Sequence, residues 1–125
     1  MFFDTDVLIW AQRGNSKAAD AIINAKERYI SVVNYMELLQ NTQNKKQHQV
    51  IKSFFKDFSF ITLPLSENIG HRAAIYIEEY GLSSNLRVGD ALIAATVVEN
   101  NLELITANQK HFRVIKDLNL KVFRI

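Results

Sequence analysis

Short apolar, β-rich runs alternate along this 125-residue chain with longer segments of helical periodicity, and that alternation restricts the fold more than any other feature. Phe2-Phe3, Tyr29 to Val33, Phe58 to Leu63, Leu102 to Thr106 and Lys121 to Arg124 are the predicted strands. None shows a clean polar alternation, which is what strands covered on both faces require. Helices are predicted over Ser16 to Lys26, Asn34 to Asn41, Lys45 to Phe55, Glu67 to Tyr80 and Val88 to Glu99. Ser66 is placed to cap the fourth of these, with Gly81 as the glycine that follows its end. Ala91-Leu92-Ile93-Ala94-Ala95 is apolar all round and predicts an internal helix packed on several sides. The expectation is an α/β fold, a three-layer α/β/α sandwich around a mostly parallel sheet. A chain of this length buries one core, so residues 1–125 are read as a single domain.

With 48% hydrophobic and 22% charged residues the chain lies far from disordered or fibrous compositions. Fifteen basic against 13 acidic side chains leave a net charge of only +2, which selects no partner class. The absence of cysteine removes disulfide frameworks and thiolate metal sites and fits a reducing cytoplasm. Met1-Phe2-Phe3-Asp4 meets an acid before any signal-type apolar region forms, and no apolar run approaches the ~20 residues of a bilayer span. A soluble, cytoplasmic protein without membrane attachment is expected.

Chemistry concentrates at four places. Asp4 closes the first strand, where an acid can hold a cation in the crevice beyond the strand ends or simply cap the helix that follows. Glu37 follows the second strand and shares a helical face with Asn34 and Asn41; a solvated face, or a capping box in which Glu37 returns to the Asn34 amide, explains it without function. Asp90 opens the most apolar helix, where the helix dipole favours an anion by about 0.3–1 kcal/mol. An ionised group beside a buried helix still needs a partner. Thr106 and Asn108 end the fourth strand, and an amide oxygen can ligate a hard cation without adding charge.

The order Asp4-Thr5-Asp6-Val7-Leu8-Ile9, Glu37-Leu38-Leu39, Gly89-Asp90-Ala91-Leu92-Ile93-Ala94-Ala95 and Thr106-Ala107-Asn108 resembles a PIN domain, and within it the VapC-type toxins of bacterial toxin–antitoxin pairs. The resemblance runs from Asp4 to Phe112, and Gly89 to Thr96 is its most specific stretch. It implies that Asp4, Glu37 and Asp90 bind one or two Mg²⁺ or Mn²⁺ ions and hydrolyse RNA in line, leaving a 5′-phosphate and a 3′-hydroxyl. Thr5, Asp6 and Thr106 would support these acids. The family often places a further acid where this chain has Asn108, a departure that bears on a second metal ion. A homodimer and a small antitoxin partner are also implied, with Trp10 and Phe54-Phe55 as the exposed apolar candidates for contact.

Three carboxylates in one pocket repel one another and favour proton uptake unless a divalent cation compensates. Arg87 and Lys110 flank the predicted pocket and are the candidate RNA phosphate contacts. Lys45, Lys46, Lys52 and Lys56 are read as a solvated face. His48, His71 and His111 lack metal-ligand spacing and are read as surface or packing residues, His111 being the one that can approach the site. The rival readings are a haloacid-dehalogenase-like phosphatase, from the Asp4-Thr5-Asp6 pattern, and a PIN-like module that binds RNA or protein without cutting. The first lacks the expected Gly-Thr after the second acid, since Val7-Leu8 stand there.

Overall fold

A computed structural model describes all of residues 1–125. Its elements are β1 (Phe2–Phe3), α1 (Thr5–Gln12), α2 (Ser16–Asn24), β2 (Tyr29–Ser31), α3 (Val32–Gln40), α4 (Lys45–Asp57), β3 (Ile61–Leu63), α5 (Glu67–Tyr80), α6 (Val88–Glu99), β4 (Glu103–Thr106), α7 (Gln109–Phe112) and β5 (Asn119–Val122). The strands form one sheet in the order β3-β2-β1-β4-β5, parallel throughout.

The period-2 geometry of a strand sends successive side chains to opposite faces, and the neighbouring strands β1 and β4 show it. Phe2 and Leu104 enter a core with Ile69, Ala73, Tyr76, Ala91 and Ala94 of α5 and α6. Phe3 and Ile105 enter a second core with Leu8, Ile22, Leu38, Ile51 and Phe55 of α1 to α4. The sheet is thus covered on both sides, giving the expected three layers. Each fully buried Phe or Leu contributes about 1.5–3 kcal/mol over an exposed one. No helix is long and apolar enough to cross a membrane.

Several boundaries differ from the sequence reading, for local reasons. The run Val7 to Trp10 lies inside a helix, α1, the one that Asp4 is placed to cap and for which the sequence gives no range; Asp4 caps it by accepting the Thr5 N–H at 2.8 Å. The second strand ends at Ser31, because Ser31 and Asn34 form the capping box of α3. The third begins only at Ile61, since Phe58 closes α4 and Ser59 takes a left-handed φ of 55°. The fifth lies two residues earlier than expected, its Asn119–Val122 pairing with Glu103–Thr106. The second helix stops at Asn24. Gly81 closes α5 in a right-handed conformation (φ −60°, ψ −41°), not the left-handed one expected of a glycine after a helix. Phe55 is buried at 6% exposure and Phe54 stacks on Phe55, Phe58 and Phe60, so this pair packs the core instead of standing out as a surface anchor.

Candidate functional site

β1 and β4 are neighbours at the point where the chain changes direction across the sheet, with β2 and β3 laid down on one side and β5 on the other. In open α/β sheets this switch point leaves a crevice beyond the carboxyl ends of the strands. Asp4 follows β1 there, and Thr106 ends β4 beside it. The Thr106 hydroxyl donates to Asp4 Oδ2 at 2.7 Å, and the Asp4 N–H donates to the Ile105 carbonyl at 3.0 Å. Asp4 therefore caps the helix and at the same time stands at the crevice. Asp6, half a turn on, accepts the Ala107 N–H at 3.1 Å through Oδ2, while its Oδ1 is buried without a partner.

Glu37 reaches the same end of the sheet from α3. Its Oε1 accepts the Thr5 hydroxyl at 2.9 Å; that hydroxyl accepts from Asn34 Nδ2 at 2.9 Å, and Asn34 Oδ1 accepts the Ser31 N–H at 2.8 Å. Asn34 is fully buried, so neither the solvated face nor the capping box expected between Asn34 and Glu37 exists: Asn34 caps backward to Ser31 and forward to Thr5. Glu37 Oε2 lies over Gly89, where an added Cβ would come within 3.1 Å. Glycine at 89 thus permits the close approach of Glu37 to the first turn of α6.

Asp90 sits in that turn, half-buried, with its Oδ2 3.4 Å from His111 Nδ1. Asn108 is exposed; its backbone N–H donates to the Thr106 hydroxyl at 3.0 Å and its side-chain amide lies 3.2 Å from His111 Nδ1. His111 is therefore not a mere surface or packing residue; of the three histidines it is the one that approaches the site, as its place five residues beyond β4 allows. Arg87, at the cap of α6, and Lys110, on α7, are both exposed. Asn34, read from the sequence only as a partner in a face or cap, and Ser31, not named there, complete the chain of hydrogen bonds; the signal in the sequence is an amide one turn before Glu37, able to donate and accept at once.

The electrostatics follow from burial. Asp4 is pushed up to about 7, first by desolvation and then by the neighbouring Asp6 carboxylate, with Asp90 adding a smaller like-charge push. Hydrogen bonds from Thr106 and Thr5 oppose that rise. Asp6 is raised as well, mainly by burial, against the Ala107 N–H and the Thr106 hydroxyl that face its Oδ2. No lysine or arginine ion-pairs with Asp4, Asp6, Glu37 or Asp90. As the side chains lie, no three Asp, Glu or His groups converge closely enough to grip one ion. The donor set nevertheless fits a divalent cation. Its oxygens are hard, they are uncompensated by any Lys or Arg, and one buried oxygen of Asp6 has no partner at all.

The PIN domain family model matches residues 1–118. Ribonuclease VapC10 of Mycobacterium tuberculosis is 34% identical over 119 residues, covering 92% of this chain and 87% of that protein. Ribonuclease VapC1 of Methanocaldococcus jannaschii is 29% identical over 94 residues, covering 75% and 68%. Among solved structures, a toxin–antitoxin complex from Klebsiella pneumoniae superposes with a TM-score of 0.82 at 28% identity, covering 99% of this chain and 98% of that one. VapBC2 from Rickettsia felis, bound to a DNA fragment from its promoter, has the same fold at a TM-score of 0.80 and 21% identity, covering 98% of each chain. The phosphatase reading of Asp4-Thr5-Asp6 falls with these matches, and the chain belongs to the PIN domain family.

Proposed function

We propose that this protein is a Mg²⁺- or Mn²⁺-dependent endoribonuclease and the toxin half of a toxin–antitoxin pair. The observation that carries the reading is a set of acids at the switch-point crevice, without a single Lys or Arg counter-charge, in a chain of this family. Asp4, Glu37 and Asp90 are the residues that would hold the metal, with Asn108 at the fourth position. When bound, the cation would supply an acidified water and neutralise charge on the scissile phosphate.

The protein's own groups do the rest. Thr106 and the Thr5 N–H fix the Asp4 carboxylate, so that its orientation is set before any ligand arrives. Thr5, held by Asn34, does the same for Glu37. Asp6, clamped to the Ala107 N–H, supports the turn after β4 and adds negative potential behind Asp4. Arg87 and Lys110 would take the phosphates on either side of the scissile bond, positioning RNA without reading its sequence. The toxin–antitoxin complex of 28% identity supports an antitoxin partner for this chain, and a homodimer is proposed on the family resemblance.

The test is incubation of the purified protein with total RNA, with Mn²⁺ and with EDTA, beside Asp90→Asn. Cleavage that needs Mn²⁺ and is lost in the variant is expected. Cleavage that survives chelation would sink the mechanism, and Mn²⁺ binding without any cleavage would favour a module that binds without cutting.

A further inference from the structure

We infer that His111 is a nitrogen ligand of the metal centre, so that Asp90, His111 and Asn108 form a mixed N/O subsite that prefers a transition-series divalent ion to Mg²⁺. This rests on the reading of the acids as a metal centre and adds a ligand that the order of the motifs does not assign. Asn108 Nδ2 lies 3.2 Å from His111 Nδ1. In the neutral ring one nitrogen carries the proton and the other a lone pair, and a metal ion takes the lone-pair nitrogen. The same Nδ1 faces Asp90 Oδ2 at 3.4 Å. Nδ1 thus faces the carboxylate and the amide together, where a cation held by all three would take the place of a ring proton. Apart from His111 itself, no basic side chain ion-pairs with Asp90.

The separation suits a shared cation. Ligands about 2.1 Å from one ion stand about 3.0 Å apart along an octahedral edge and about 3.4 Å along a tetrahedral one. A half-turn of the Asn108 amide would present Oδ1 in place of Nδ2 on the same side, completing a carboxylate, an imidazole and an amide oxygen. His111 is held for the purpose by its place on α7: Phe112, its neighbour, is buried at 1% exposure, and Asn108 is tied through its N–H to Thr106. The chemistry then sets the preference. Mg²⁺ keeps to oxygen and water, whereas imidazole binds first-row transition ions well. Replacement of an acid by Asn108 lowers the negative charge of this subsite, and a nitrogen donor offsets the lost affinity for transition ions but not for Mg²⁺.

Mn²⁺ titrated into the full chain, uniformly ¹⁵N-labelled at histidine, and read by pulsed electron paramagnetic resonance tests the assignment. One imidazole nitrogen coupled to the Mn²⁺ spin is expected in the wild type and in His48→Gln, and none in His111→Gln. The preference for Mn²⁺ over Mg²⁺, from competition titrations, should fall about tenfold or more in His111→Gln. Bound Mn²⁺ with no nitrogen coupling in the wild type, or coupling that persists in His111→Gln, overturns the His111 assignment and leaves the carboxylate centre standing. Failure of the wild type to bind Mn²⁺ at all overturns both.

Discussion

Asp4 carries the sharpest consequence of the site's burial. Its carboxyl ionises near 3.8 in an unfolded chain and is held up to about 7 in the fold, so between these pH values the native state keeps a proton that the unfolded state has released. Stability must then fall as pH rises through that window, and level off above it. The gap is about three pH units, and at about 1.4 kcal/mol each the penalty at pH 8 is about 4 kcal/mol. Against a typical domain stability of roughly 5–15 kcal/mol this is a large fraction. Asp4→Asn keeps the shape and the oxygen that caps α1 but cannot ionise. In EDTA, urea unfolding at steps from pH 4 to pH 8 should therefore show wild type losing stability relative to the variant, from near parity at pH 4 to a deficit of about 4 kcal/mol at pH 8. Saturating Mn²⁺ should restore the wild type above pH 7, by about 2.7 kcal/mol at a hundred times its dissociation constant, and leave the variant almost unmoved. Parallel stability curves for the two proteins across the whole range would refute the account of Asp4.

Three further outcomes are expected. Gly89→Ala places a Cβ 3.1 Å from Glu37 Oε2, so cleavage should drop while thermal stability holds or rises, since Ala favours a helix over Gly by about 1 kcal/mol; unchanged cleavage would show that Glu37 has room to spare. Thr106→Val removes the buried donor to Asp4 and should cost about 1–3 kcal/mol by urea titration at pH 7.5, with the Asp4 carboxyl rising further; a neutral effect would mean that water replaces the hydroxyl. Asn108→Asp restores a negative charge and should tighten Mn²⁺ binding by calorimetry; an affinity equal to that of the parent would place residue 108 outside the reach of the ion.

The layered fold was legible because the central strands β1, β2 and β4 are short words buried on both faces, and because the segments between the strands keep helical period; the edge strands β3 and β5 are largely exposed. Ends were less so: Ser31 reads equally well as the last residue of a strand or as a cap, and only the buried Asn34 amide decides for the cap. α1 has no range in the sequence reading because Val7 to Trp10 is as apolar as a strand, although Asp4, also a candidate site residue, is read there as able to cap a helix. Asp4 and Asp90 stood out from position alone, one at a strand end and one in a helix's first turn. What position does not reveal is who holds whom. Thr5 links Asn34 to Glu37 across more than 25 residues of chain, and His111 meets Asp90 only because α6 and α7 begin at the same end of the sheet.

Thr106 shows how the two halves of the centre are joined. Its hydroxyl has one proton, given to Asp4 Oδ2, and it accepts the N–H of Asn108 in return. With the Ala107 N–H bound to Asp6, the turn after β4 is held by backbone donors at two consecutive residues, and none of these bonds uses the Asn108 side chain. The loop that carries Asn108 and His111 is thus fixed to the acids of β1 and α1 independently of the group at 108. A change of charge there alters the field of the centre without disturbing its frame, which is why the Asn108→Asp variant isolates electrostatics while Thr106→Val tests the frame itself.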